Sequence, residues 1–391
     1  MRRRGERPGH SATTAHFQGA YPFLGMGGLG APGVYVGTDA FGGAWAFDPW
    51  ELSARRIMRS PNVIVLGGIS YAKSTLIKTY IYRQYLFGRQ AWVIDVKGEY
   101  GPLAAALGRR TIRLEPGGEV RLNPIERRGG REGQLALLRS VTHAALRREL
   151  HPEEDAALRV ALDQVNEEAG VFEPTLPIVV EALLHPREAM VAGVSAAGAA
   201  EFAAAARDAA LALQRLCEGD LRGIFDGPTT DGIDLDGALV VLDLSAMGDS
   251  EALAVLMTCA AAWQQAILRE RKEAADREGR PMAKVFCVLE EVWRVAANVG
   301  VAEWLQANFK LCRALGIANF VSLHKLTDFG TAGADGSRAA RIAQALVADA
   351  GCTVIYRQPC TSTAPRRCGR WTLTPAGIPE GEVPETYPFG V

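Results

Sequence analysis

The residues best suited to chemistry stand in one run, Gly67-Gly68-Ile69-Ser70-Tyr71-Ala72-Lys73-Ser74-Thr75. An apolar segment, Val63-Ile64-Val65-Leu66, precedes it and a helical pattern from Ser74 to about Phe87 follows. The spacing is that of G-x-x-x-x-G-K-[ST], in which successive backbone N–H groups and a helix N-terminus converge on phosphate oxygens. On that pattern Lys73 reaches the β- and γ-phosphates of a nucleotide. Ser74 offers its hydroxyl to Mg²⁺, and Gly67 permits the sharp exit from a strand. Ala72 departs from the pattern, because glycine is wanted there for its backbone freedom. The bland alternative is a glycine-rich turn with an incidental lysine.

A second chemical signal closes a later apolar run, Val285-Phe286-Cys287-Val288-Leu289-Glu290-Glu291. Successive strand residues face opposite ways. Glu290 can therefore meet a metal shell while Glu291, where the pleat breaks, turns toward an attacking water. A pair of glutamates after an apolar run is also a common solvated strand end. The phosphate loop favours the functional reading.

These residues need a sheet to hold them. Ala91-Trp92-Val93-Ile94, closed by Asp95, reads as a buried strand, and Thr111–Leu114 as another. Further strands are expected at Ala238–Leu244, Lys284–Leu289, Ala318–Leu323 and Cys352–Tyr356, with helices near 249–275, 300–315 and 335–349. Crossovers of that length imply parallel pairing and an α/β fold. Residues 1–60 form a small β-rich lead-in with pieces at Gly33–Val36 and Ala44–Phe47. The core then runs over 61–129 and 237–358. Between them, 130–236 loses its strand signals and reads as an all-helical insertion, while 359–391, with six prolines, reads as an irregular tail.

Composition narrows the classes. Among 391 residues, 43 Lys+Arg balance 44 Asp+Glu, which excludes a uniformly basic nucleic-acid wrapper. Only seven of the 43 cations are lysines, so lysines inside motifs stand out. Seven scattered cysteines without C-x-x-C spacing suggest neither a zinc site nor a disulfide framework. Met1-Arg2-Arg3-Arg4 lacks a following apolar region, so export is not expected. The run Ala252–Leu268 is short for a membrane span and reads as a buried helix. The segment Arg121–Arg148 carries seven arginines, either a solvated helix face or the lining of a DNA channel.

Taken in order, several segments resemble the conjugation and type IV secretion ATPases of the VirB4/TraC type, within the FtsK/HerA group of DNA-pumping ATPases, and most nearly actinobacterial members. The resemblance runs from about His16 to Gln358. It rests on Phe47-Asp48-Pro49, the phosphate loop with Lys78-Thr79, Val93-Ile94-Asp95-Val96-Lys97-Gly98-Glu99-Tyr100 and Arg121-Leu122-Asn123-Pro124. Gly219 to Gly227, Glu290-Glu291-Val292-Trp293-Arg294 and the late strand ending at His324 complete it.

The resemblance implies a RecA-like P-loop core interrupted by a helical subdomain, working as a homo-hexamer that uses ATP and Mg²⁺. By analogy Glu291 is the catalytic glutamate, and Glu290 stands where an aspartate is usual. His324 takes a sensor position, with a satisfied strand-end histidine as the alternative. Arg313 is the arginine offered to a neighbouring subunit's nucleotide, or else an ordinary surface arginine. Gly67, Gly68, Ser70, Ala72, Lys73, Ser74, Thr75, Asp95 and Glu99 surround the nucleotide, and Ser74 with Glu290 hold the metal. Lys97 is a phosphate or DNA contact, or a solvated loop cation. The implied setting is cytoplasmic, at the inner face of a membrane complex, with DNA or channel proteins as partners. A nucleotide-binding assembly subunit with little hydrolysis is the competing reading. The proline-rich tail departs from the family where relatives carry a further helix, strand and arginine, a composition that suggests truncation or an altered frame.

Overall fold

The computed structural model describes residues 29–30, 32–39, 42–68, 71–127, 130–170, 172–191, 198–248, 251–291, 305–306, 308–324, 345–356 and 372–375. Two strands, β1 (Val34–Thr38) and β2 (Ala44–Phe47), pair antiparallel as a hairpin. Asp48 then caps helix α1 (Pro49–Ala54), its Oδ1 accepting from the Trp50 and Glu51 amides at 2.9 and 3.0 Å. An aspartate N-cap followed by proline at the first helical position suits both orphan amides and φ.

The core follows: β3 (Val63–Leu66), α2 (Lys73–Tyr85), β4 (Gln90–Asp95), α3 (Gly101–Ala106) and β5 (Ile112–Arg113). Helices α4 (Gly130–Leu146), α5 (Pro152–Ala169), α6 (Leu176–Leu184), α7 (Glu188–Val191) and α8 (Ala199–Arg215) form the helical region. Then come β6 (Leu239–Asp243), α9 (Glu251–Glu278), β7 (Val285–Leu289), β8 (Ile317–Leu323), β9 (Cys352–Ile355) and β10 (Thr372–Pro375). The main sheet runs in the order β10-β9-β3-β8-β7-β4-β6-β5. Seven of these strands are parallel, giving the expected RecA-like α/β core.

Period-2 alternation sorts the strand side chains onto two faces. Val63, Val65, Ala91 and Val93 join one core with the hairpin, α1 and α2. There Trp50, Tyr80, Phe286 and Phe320 pack with centroid spacings of 4.5 to 5.4 Å, mostly tilted or edge-on, so Trp50 of the lead-in finds its partner beneath the sheet. Ile64, Leu66, Trp92 and Ile94 face the other way, into a cluster shared with α9 and the helical region. The insertion therefore has no core apart from the sheet's. Helix α9 is long and apolar enough to cross a membrane by length and composition, yet 75% of its most apolar stretch is buried, as a core helix requires.

Two sequence expectations change. The segment after Gln358 is not wholly irregular: β10 pairs antiparallel with β9, Thr372 opposite Ile355 and Pro375 opposite Cys352. A proline is tolerated at the end of an edge strand, where it withholds no needed donor. Thr372-Leu373-Thr374-Pro375 contains a single large apolar residue, too little to mark a strand. Four of the seven arginines in the run 121–148 also meet acids in space. Arg121 pairs with Asp226, Arg131 with Asp163, Arg139 with Asp155, and Arg148 with Glu154 and Asp208. Most of those acids lie 16 to 105 positions from their partners, so local composition overstates the positive charge.

The Arg148–Glu154 pair yields a pH test. Both guanidinium nitrogens meet the carboxylate at 2.7–2.8 Å, and the His151 amide donates to it at 2.8 Å across the start of α5. The Arg148 hydrogen bonds hold the Glu154 carboxyl below the ordinary glutamate value of 4.5. Its stabilising contribution is then complete above that value and lost as pH falls through the lower folded one. Urea unfolding of Glu154→Gln at pH 7 is expected to show a deficit against wild type that shrinks by about pH 3.

Candidate functional site

Parallel strands bring their C-terminal ends to one edge, where open α/β sheets bind ligands. Register aligns Leu66 with Leu323, Leu289 with Val321, and Ile94 with Leu289. Just beyond these strand ends stand Gly67, His324, Glu290 and Asp95, so four sequence-distant segments arrive together.

The loop residue Ala72 has φ 61° and ψ 22°, the left-handed conformation, and serves as the N-cap of α2. This is the glycine position of the pattern, and alanine occupies it at a cost of about 1–2 kcal/mol. Ala72→Gly relieves that strain but adds unfolded-state entropy, so a net gain in stability of up to about 1 kcal/mol is expected. Chemical denaturation of the two proteins measures the difference. Gly67 is required for a different reason, since a Cβ there would stand 2.6 Å from the Tyr356 Cβ and 3.4 Å from the Lys73 Cδ.

Lys73 is 6% exposed. Its Nζ donates to the carbonyl oxygens of Gly67 at 2.6 Å and Gly68 at 3.0 Å, and meets His324 Nδ1 at 3.2 Å. An ammonium only donates, so Nδ1 accepts and Nε2 carries the ring proton. Nε2 in turn lies 2.9 Å from Glu291 Oε2. One chain of contacts thus joins the loop after β3 to Glu291 through His324.

Glu290 is 1% exposed. Ser74 Oγ donates to its Oε2 at 3.0 Å and Tyr100 Oη to its Oε1 at 2.7 Å. Burial raises the Glu290 carboxyl, and the Tyr100 and Ser74 hydrogen bonds partly offset that rise. Tyr100 is fully buried, and burial, with Glu290 beside it, holds the phenol well above its usual value, so it remains a donor. The juxtaposed hydroxyl and carboxylate are hard oxygen donors of the kind Mg²⁺ takes alongside substrate phosphates. The pair fits that ion; among the described residues there is no larger metal-ligating cluster.

Asp95 ends β4 and is bonded within the turn that follows it. It is buried, which raises its carboxyl, and it accepts from the amides of Lys97 (3.1 Å), Gly98 (2.9 Å) and Tyr100 (2.8 Å). Those bonds shape the turn 96–100. Gly98 has φ 71°, and a Cβ there would sit 2.9 Å from Ser245 Oγ. The turn sends Tyr100 to Glu290 and Lys97 to Glu291, with Lys97 Nζ 2.6 Å from Oε1. Glu99 pairs instead with Lys78 at 3.2 Å, and Lys78 also lies 5.0 Å over the Tyr100 ring.

The structure therefore brings together Gly67, Gly68, Ala72, Lys73, Ser74, Glu290, Glu291 and His324, with Asp95 and Glu99 in the adjoining turn. Thr75 is exposed on the first turn of α2. Ser70 lies outside the described residues. Arg313 is exposed just before β8, at the sheet edge opposite His324, and does not join the site of its own chain. Sequence reasoning assigned no role to Tyr100, Lys78 or Tyr356, whose hydroxyl donates to the Ala72 carbonyl at 3.3 Å. The position of Tyr100 in a turn after a strand was visible, but its partner, 190 positions away, was not.

No protein-family model matches the chain, and no curated protein matches it. Among solved structures it is similar to VirB4 of Thermoanaerobacter pseudethanolicus, with a TM-score of 0.63 and 21% identity, covering 84% of this chain and 85% of that one. It is also similar to the bacterial conjugative coupling protein TrwBdeltaN70 in complex with sulphate (TM-score 0.51, 16% identity, 77% of this chain and 71% of that one). The plasmid coupling protein TrwB in complex with ADP and Mg²⁺ gives 0.51 and 14%, over 90% and 81%. At these identities the likeness is one of fold.

Proposed function

We propose that this chain is an ATP-binding motor subunit that hydrolyses ATP with Mg²⁺ and powers conjugative DNA transfer or a type IV secretion channel. The observation that carries the reading is the convergence of Lys73, Ser74, Glu290, Glu291 and His324 on the C-terminal edge of three adjacent strands. The likeness in fold to VirB4 and TrwB supports the conjugative setting.

In this reading Lys73 and the amides at the start of α2 bind the phosphates and offset their charge. Ser74 and Glu290 hold the magnesium ion, which supplies further neutralisation of phosphoryl charge. Tyr100 fixes the Glu290 rotamer. Glu291 orients the attacking water and takes its proton, and His324 couples its position to Lys73. Arg313, exposed and remote from its own loop, would serve a neighbouring subunit of a homo-hexamer. The setting is cytoplasmic, against the inner face of a membrane complex. A second reading, a nucleotide-binding assembly subunit with little turnover, is favoured by Ala72 in its left-handed conformation.

ATP binding and turnover, each with and without DNA, test both. The motor reading expects Mg²⁺-dependent turnover that DNA stimulates. Binding without turnover supports the assembly subunit, and absence of binding sinks both.

A further inference from the structure

We infer that Lys97 is a positioning residue for Glu291, fixing the carboxylate that the hydrolytic reading assigns to the attacking water; the inference rests on that reading. Sequence left Lys97 as a phosphate contact, a DNA contact or a solvated cation. Its geometry points to a fourth role. Nζ lies 2.6 Å from Glu291 Oε1, while His324 Nε2 takes Oε2 at 2.9 Å, so each carboxylate oxygen has a donor from a different strand end.

The backbone explains why two donors are needed. Glu291 has φ 55° without being glycine, a strained conformation that persists only where surroundings over-determine it. Two residues past the end of β7, that conformation redirects the backbone directly after Glu290, the neighbour the reading assigns to the metal. Lys97 and His324 hold it there. The Glu291 side chain is only 5% exposed and that of Lys97 33%, so the lysine reaches in from the solvent side and covers the acid. Lys97 can do this because its own turn is fixed by three amide bonds to the buried Asp95. The chain Asp95, turn, Lys97, Glu291 thereby links β4 to the chemistry at the end of β7.

The test uses the full chain with Lys97→Met and Lys97→Arg. Lys97→Met is expected to lower kcat at least about tenfold while KM and the Kd for Mg·ATP stay within about twofold, and Lys97→Arg to restore most of kcat. A Kd that weakens in step with turnover would make Lys97 a phosphate contact and overturn the inference. Loss confined to DNA-stimulated turnover would make it a DNA contact and overturn the inference equally. Unchanged kinetics would leave a solvated cation, which also refutes it. A second readout is independent of turnover: with seven lysines the ¹⁵N-lysine side-chain spectrum is sparse. The Nζ resonance lost in Lys97→Arg is expected to move in Glu291→Gln. An unmoved resonance refutes the pairing even if wild type proves unable to hydrolyse ATP, whereas a moved resonance without wild-type turnover refutes only the hydrolytic reading.

Discussion

Replacing Lys73 by alanine is expected to weaken ATP binding by about 10²- to 10⁴-fold and to remove turnover with it. The ammonium is buried and held at the mouth of the loop by the Gly67 and Gly68 carbonyls, so it is already ordered where phosphates would arrive. Hydrogen bonds to charged groups contribute about 1.5–3 kcal/mol each, and two of them to phosphate oxygens give the stated range. The substitution also takes a donor from two carbonyl oxygens and from His324. Some loss of stability should therefore accompany the loss of binding. Titration with a fluorescent ATP analogue, beside a thermal melt, separates the two effects. Binding within about threefold of wild type would refute the assignment of the loop.

Glu291→Gln should behave in the opposite way, retaining nucleotide while turnover drops by about 10²- to 10⁴-fold, the usual contribution of a positioned proton acceptor. The amide keeps the size of the side chain and can still face His324. It loses the negative charge that draws Lys97 to 2.6 Å and the basicity that would take a proton from water. Ser74 bonds to Glu290, and Lys73 to the loop carbonyls and His324, so the phosphate and metal groups should be preserved. Single-turnover hydrolysis and an equilibrium binding measurement on the same preparation decide it. Equal losses in binding and turnover would place Glu291 in substrate binding instead.

The two expected outcomes would divide the site into a binding half and a reacting half, with His324 between them. Its Nδ1 meets Lys73 and its Nε2 meets Glu291, so on the proposed reading occupancy of the loop would be felt at that carboxylate. Lys97 completes the same frame from the turn after β4.

Much of this could be read from the sequence. Val63–Leu66 and Ala44–Phe47 form strands at the bounds their apolar patterns set, because a short run closed by turn residues has few other ways to bury itself. The phosphate loop and the glutamate pair were visible for the same local reason: the turn, the lysine and the strand end are adjacent in the chain. The helical region was visible in its missing strand signals. Its fusion with the sheet's core was not, since helix periodicity says that a face is buried but not what buries it.

What the sequence alone determined is thus the set of local elements and the residue types able to bind phosphate. Tertiary structure decided which of them meet. The order β3-β8-β7-β4 depends on long-range pairing, and through it Tyr100 reaches Glu290 and Lys97 reaches Glu291. It also paired four arginines of the run 121–148 with acids, and it added a four-residue edge strand, β10, that composition concealed. The physical reason is common to all these cases: a side chain's partner is set by sheet register, strand order and helix packing, and those depend on contacts between residues far apart in the chain.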